Sequence, residues 1–174
     1  SNDDIYVTGN LGDSYLGLKA LSNKFKFKNK DKLFFVDKYY KPELPLNLTK
    51  YLLKFANSSI DVSDGLIDDL AKMINRQSLS FHLFENKIPV SNKLSNLIKK
   101  QRLNKINLIS KGDDYQVLFT ADIKKARIIQ KASKSTGIKI TKIGKIVSGK
   151  GKSLIFDEKG KQIQAKSKGY IHQF

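Results

Sequence analysis

Two hydrophobic periods alternate along this chain, and that alternation restricts its fold more than any other feature. Residues 5–9 (IYVTG), 58–62 (SSIDV), 79–84 (LSFHLF) and 115–120 (YQVLFT) are short and rich in β-branched and aromatic residues. In LSFHLF, Leu79, Phe81 and Leu83 alternate with Ser80 and His82, the pattern of a strand with one buried face and a half-buried His82 on the other. Between such runs the period changes to 3.6. DGLIDDLAKMI sets Leu66, Ile67, Leu70, Met73 and Ile74 on one stripe of a helix. Further helices are predicted over 32–40, 48–56, 94–100 and 122–133, with Pro42 and Pro45 turning the chain between the first two. NLGDSYLGLKAL reads as a glycine turn, with Asp13 as cap, and a helix beginning around Leu16. Strands are predicted over 106–110 and within IKITKIGKIV and SLIFD. No repeat or low-complexity linker divides the order, so residues 1–174 are expected to form a single domain. Its class is α+β, with a mixed, largely antiparallel sheet and packed helices rather than a parallel Rossmann sheet.

Composition removes several chemistries. The chain has 174 residues, 40% of them apolar, and no cysteine, so disulfides, thiolate zinc sites and cysteine nucleophiles are excluded. Two histidines, His82 and His172, leave little for a histidine metal site or a Ser-His-acid triad. No apolar run approaches membrane-spanning length, and SNDDIYVTG lacks the features of a signal peptide. The expectation is a soluble, cytoplasmic protein. The net charge of +17 is carried almost entirely by lysine, with arginine only at 76, 102 and 127. Base and phosphate recognition favours arginine's planar fork, so nucleic acid is not the expected partner. NKFKFKNKDK (23–32) is expected to be a solvated strand or loop, its lysines lying over an apolar face; the competing reading stacks bases on Phe25 and Phe27.

Two glycine motifs fail on context. GKIVSGK (144–150) begins like a phosphate-binding P-loop, but Gly151 stands where Ser or Thr is required, and the turn joins two strand-like runs. It reads as a β-hairpin turn. GNLG lacks dinucleotide-binding spacing.

The acids are more informative. Asp61, Asp64, Asp68 and Asp69 fall within nine residues of a basic chain. A strand ending at Val62 presents Asp61 and Ser63 at its other face and tip, while Asp64 starts the next helix with Asp68 a turn above. Hard oxygen donors so placed suit magnesium, and the helix start suits phosphate. Ser63 or Asp64 as a simple helix cap explains part of the cluster equally well, but not Asp61.

Four ordered segments, YVTGNLGDSYLGL, SSIDVSDGLIDDL, SKGDDYQVLFT and KGYIHQF, with ITKIGKIV between the last two, resemble the C-terminal half of the thiamine-monophosphate kinase family. That family belongs to the aminoimidazole ribonucleotide synthetase superfamily, whose members join an N-terminal ATP-binding domain to a C-terminal α/β domain. The resemblance implies phosphoryl transfer from ATP to thiamine monophosphate, giving thiamine diphosphate, with magnesium bridging the phosphates. By motif, Asp61 and Asp64 would be magnesium ligands and Ser63 an ATP contact. Asp113 and Tyr170 would contact the substrate, the carboxylate pairing with its cationic heterocycles and the ring stacking on them. Three positions depart from the family pattern: Asp113 replaces glutamate, Lys111 the first glycine of GGEDYE, and Ile171 the acid of GYDHF. The resemblance also implies an N-terminal domain absent from these residues, a homodimer when full-length, and no kinase activity for this chain alone.

Two alternatives make different demands. Another kinase or synthetase of the superfamily shares the fold and ATP use but not the GDDY and KGY pair. A lysine-rich nucleic-acid module would lose affinity steeply with salt and be indifferent to Asp61 and Asp64.

Overall fold

A computed structural model describes residues 2–25, 27, 29–74, 78–149 and 152–164. Strand β1 (Asp4–Thr8) leads through the glycine loop into helix α1 (Asp13–Leu21), followed by α2 (Asn29–Tyr40) and α3 (Thr49–Phe55). Then come β2 (Ser58–Asp61), α4 (Leu66–Ile74) and β3 (Leu79–Phe84). Helices α5 (Asn92–Gln101) and α6 (Lys105–Ile109) precede β4 (Val117–Ala121) and α7 (Ala126–Thr136), and β5 (Ile140–Ser148), β6 (Leu154–Phe156) and β7 (Gln162–Ile163) complete the order. The strands form one sheet in the order β2-β4-β1-β5-β3-β6-β7. Every neighbouring pair is antiparallel except β3 and β6, as the α+β expectation requires.

Strand β1 lies between β4 and β5 and is buried along its whole length. Its alternation therefore feeds two cores at once. Ile5 and Val7, with Leu118 of β4, join Leu66, Leu70 and Ile74 of α4 and Ile106 and Ile109 of α6. Tyr6 belongs to the opposite layer, where it stacks on its register partner Phe119 at 5.2 Å, and Phe55 of α3 closes on Phe119 at 5.3 Å. Ile129 and Ala132 of α7 complete that layer.

A third cluster unites α1, α2 and α5 through Leu16, Phe35 and Leu94, and Phe25 and Phe27 pack against it. The rings of Phe25 and Phe27 lie 4.4 Å apart, and Phe27 lies 5.3 Å from Phe35. These aromatics serve the core, which removes the stacking platform that nucleic-acid binding by 23–32 would need.

Three sequence expectations are corrected. Residues 106–110 are not a strand: Asn104 caps α6 by accepting from the amide of Asn107 at 3.0 Å, and Ile106 and Ile109, one turn apart, both face the core. Asp13 does not cap α1. Gly12, at φ 89, occupies that position, and Asp13 instead accepts from the Ser91 hydroxyl at 2.7 Å. Finally, the strands flanking the 144–150 motif do not form a hairpin, because β3 lies between β5 and β6.

Phe119 is fully buried where β1, β4 and α3 meet. Phe119→Ala is expected to lower stability by about 3–5 kcal/mol through lost transfer energy and a residual cavity. Urea unfolding checks this, with the midpoint falling at unchanged slope.

Candidate functional site

Beyond the ends of β2 and β4 the two chains stay zipped as loops. The amide of Val62 donates to the Gln116 carbonyl at 2.8 Å, that of Tyr115 to Val62 at 2.9 Å, and that of Asp113 to Ser63 at 3.0 Å. Two glycines allow the approach. A Cβ on Gly112 would stand 2.0 Å from the Ser63 carbonyl oxygen, and one on Gly65 would stand 2.5 Å from the backbone of Ser110. Both glycines have positive φ, and so do Asp113 (φ 61) and Tyr115 (φ 49), an uncommon conformation for side chains of that size. The zipper holds them there.

This interlock brings the acids together. Asp61 ends the edge strand β2 and is exposed, while Ser63 and Asp64 are half-exposed in the following turn. Asp113 arrives from the opposing loop, half-buried, and its carboxyl is pushed above the ordinary aspartate value first by burial and then by the charge of Asp64. Tyr170 lies outside the described residues. Among the described residues, no three His, Cys, Asp or Glu side chains are grouped so as to hold a metal ion. Magnesium characteristically takes one or two protein carboxylates, its remaining positions going to water and phosphate. Asp64 already pairs with a cation, the ammonium of Lys72.

Asp69 organises the turn. Its carboxylate is 1% exposed, and its Oδ2 accepts from the amides of Ser63 (3.0 Å), Asp64 (2.9 Å) and Gly65 (3.0 Å). Its Oδ1 accepts from Lys72 Nζ at 3.0 Å, and Lys72 also donates to Asp64 Oδ2. Gly65, rather than Ser63 or Asp64, directly precedes α4, its carbonyl accepting from the Asp69 amide at 3.0 Å, and the Asp69 carboxylate braces the turn ahead of it. Asp69 thus occupies the amides of the turn ahead of α4, while those of the helix's own first turn, residues 66–68, are not among its donors. Sequence reading counted Asp69 in the acid cluster without a role and did not single out Lys72; Asp68, a turn above Asp64, stays half-exposed. The available signal was position: Asp69 falls between Leu66 and Leu70 on the apolar stripe, where an acid needs an internal partner.

The same device recurs at α1. Asp114 accepts from the amides of Gly12 at 2.7 Å and Ser14 at 3.4 Å. Burial pushes its carboxyl up to about 7, against the pull of the Gly12 amide and with help from the charge of Asp13. Burial likewise raises Asp13 to about 6, and the Ser91 hydrogen bond opposes it. Adjacent acids therefore do different work: Asp114 fills the glycine loop from inside, and Asp113 remains beside Asp64.

The resemblance read from the four segments extends over nearly all of this chain. It is similar to the thiamine-monophosphate kinase of Buchnera aphidicola subsp. Schizaphis graminum (strain Sg), 36% identical over 99% of this chain and 53% of the relative. It is also similar to that of Aquifex aeolicus (strain VF5), 30% identical over 98% of this chain and 51% of the relative. Among solved structures, AaThiL complexed with AMPPCP and TMP superposes with a TM-score of 0.77 at 29% identity, covering 99% of this chain and 52% of that one. Escherichia coli HypE matches with a TM-score of 0.72 at 16% identity over 94% of this chain and 49% of that one, which shows the shared fold alone. No protein-family model matches. The chain spans about half the length of the curated relatives it matches.

Asp13 and Asp114 imply a pH dependence of stability. Their folded values of about 6 and about 7 lie above the ordinary 3.8, so between those limits the folded protein keeps protons that the unfolded chain has released. Stability is expected to fall as pH rises from about 4 to about 7. Thermal unfolding across that range should show the fall, and Asp114→Asn should flatten its upper part.

Proposed function

We propose that this chain is the C-terminal domain, residues 1–174, of a kinase that transfers the γ-phosphoryl group of ATP to thiamine monophosphate, giving thiamine diphosphate and ADP. The observation that carries this reading is the convergence of Asp64 and Asp113 from the two interlocked loops. Its support from outside the chain is the fold shared with AaThiL, whose solved complex holds AMPPCP, an ATP analogue, together with TMP.

A phosphate oxygen of thiamine monophosphate attacks the γ-phosphorus of ATP, one P–O bond forms, and the bond to the β–γ bridging oxygen breaks with ADP leaving. Such transfer depends on positioning and charge neutralisation, not on a protein nucleophile. Asp61 and Asp64 would hold magnesium, whose charge neutralises phosphate oxygens, and Ser63 would contact ATP. Asp113 would lie against the cationic heterocycles of the substrate, with Tyr170 stacking on them. With the amides of 63–65 closed by Asp69, that turn would meet phosphate through bound cations rather than through its own amides.

The rest of the magnesium and ATP site would come from an N-terminal domain across a cleft, in a protein that dimerises when full-length. Its site of action would be the cytoplasm; among the described residues no helix is long and apolar enough to cross a membrane.

In the longer protein carrying this chain, Asp61→Asn and Asp64→Asn are each expected to slow thiamine diphosphate formation about a hundredfold or more, at unchanged circular dichroism. Near wild-type rates in both would sink the metal assignment. The 174-residue chain alone should form no thiamine diphosphate and bind thiamine monophosphate weakly at most, as calorimetric titration and a product assay would show. Robust turnover would overturn the half-enzyme reading.

A further inference from the structure

Lys72 makes two ion pairs of different character. Its ammonium donates to Asp69 Oδ1 at 3.0 Å and to Asp64 Oδ2. Asp69 is 1% exposed and fixed by three backbone amides, whereas Asp64 is 28% exposed on the turn above it. The lysine itself is 49% exposed. One partner is therefore a permanent anchor, and the other can be claimed from solvent. Lysine suits such an arrangement, because its ammonium is a compact charge with three donors on a flexible stem. It can retain the Asp69 bond while redirecting another donor.

Resting on the reading of Asp64 as a magnesium ligand, we propose that Lys72 is a tethered counter-ion for the metal site. It neutralises Asp64 in the empty state, competes with a free divalent cation for that carboxylate, and turns to a phosphate oxygen when the cation arrives with a polyphosphate. A bare divalent cation must displace the ammonium and then sit beside it, like charge against like charge. A metal–ATP complex has net negative charge. Its phosphate oxygens give the displaced ammonium a charge-assisted partner at the moment its carboxylate is taken. The residue thereby favours metal that comes with nucleotide over metal that comes alone. Lys72 is a positioning residue, acting through Asp64 and the phosphates.

The decisive feature is a pair of opposite shifts on removing one charge. Lys72→Met keeps most of the stem and deletes the ammonium. In the 174-residue chain, manganese alone, followed by electron paramagnetic resonance, is expected to bind about two- to fivefold more tightly to Lys72→Met than to wild type, the range that loss of an exposed ion pair allows. In the longer protein, manganese–ATP is expected to bind this variant about tenfold more weakly, as loss of a charge-assisted hydrogen bond requires. Lys72→Arg, which keeps the charge, should stay near wild type for manganese alone. Asp64→Asn separates this proposal from the reading beneath it. If Asp64→Asn binds manganese as wild type does, Asp64 is not a ligand and both ideas fall. If Asp64→Asn weakens binding while Lys72→Met leaves it unchanged or weaker, only the counter-ion role is overturned.

Discussion

The carboxylate of Asp69 determines what the rest of the site can be. It is buried, yet three amides and an ammonium surround it, so the desolvation of its charge is met by charge-assisted hydrogen bonds. In return it fixes the backbone of 63–65, the turn against which Gly112 and Asp113 lie. The outward geometry of Asp64 and Asp113 is inherited from an acid that solvent scarcely reaches. A site built this way needs little further scaffolding on its own side, since the zipper, the glycine contacts and Asp69 all restrain the same few residues.

Asp114 repeats the arrangement at the start of α1, and together the two acids reverse an intuition about this fold. Strand, glycine turn and helix is the usual architecture for holding phosphate on backbone amides. Here internal carboxylates occupy the amides of residues 63–65 ahead of α4 and those of Gly12 and Ser14 at α1. Negative charge has been brought inside a strongly basic chain. Asp61 stays exposed and Asp64 half-exposed, and Lys72 is the cation already paired with Asp64.

Much of this was legible in the sequence because it is local. The stripe of Leu66, Leu70, Met73 and Ile74 determines α4, and the alternation through Leu79, Phe81 and Leu83 determines β3. The motif DVSDGL placed Asp61, Ser63 and Asp64 at a strand-to-helix junction, where they are found. What escaped depends on partners far away or on details finer than the period. Residues 106–110 are dense in isoleucine and leucine, which favours a strand reading, but a single Asn104 cap and a shared core face decide for α6. The strands around 144–150 looked like a hairpin because nothing local announces that β3 comes between them. Asp68 and Asp69 stand side by side in the acid cluster, and one position on a helix separates the solvent face from the interior.

The position of β1 also bears on how the protein is made. It precedes the other strands of this sheet in the chain and lies between two of them, yet both its neighbours arrive late: Asp4 lies opposite Ala121 on one side and Lys145 on the other. At typical translation speeds the interval is on the order of ten seconds. Throughout that time a strand that ends up buried along its whole length is a nascent segment without its native partners, and its protection during synthesis falls to the ribosome surface or a chaperone.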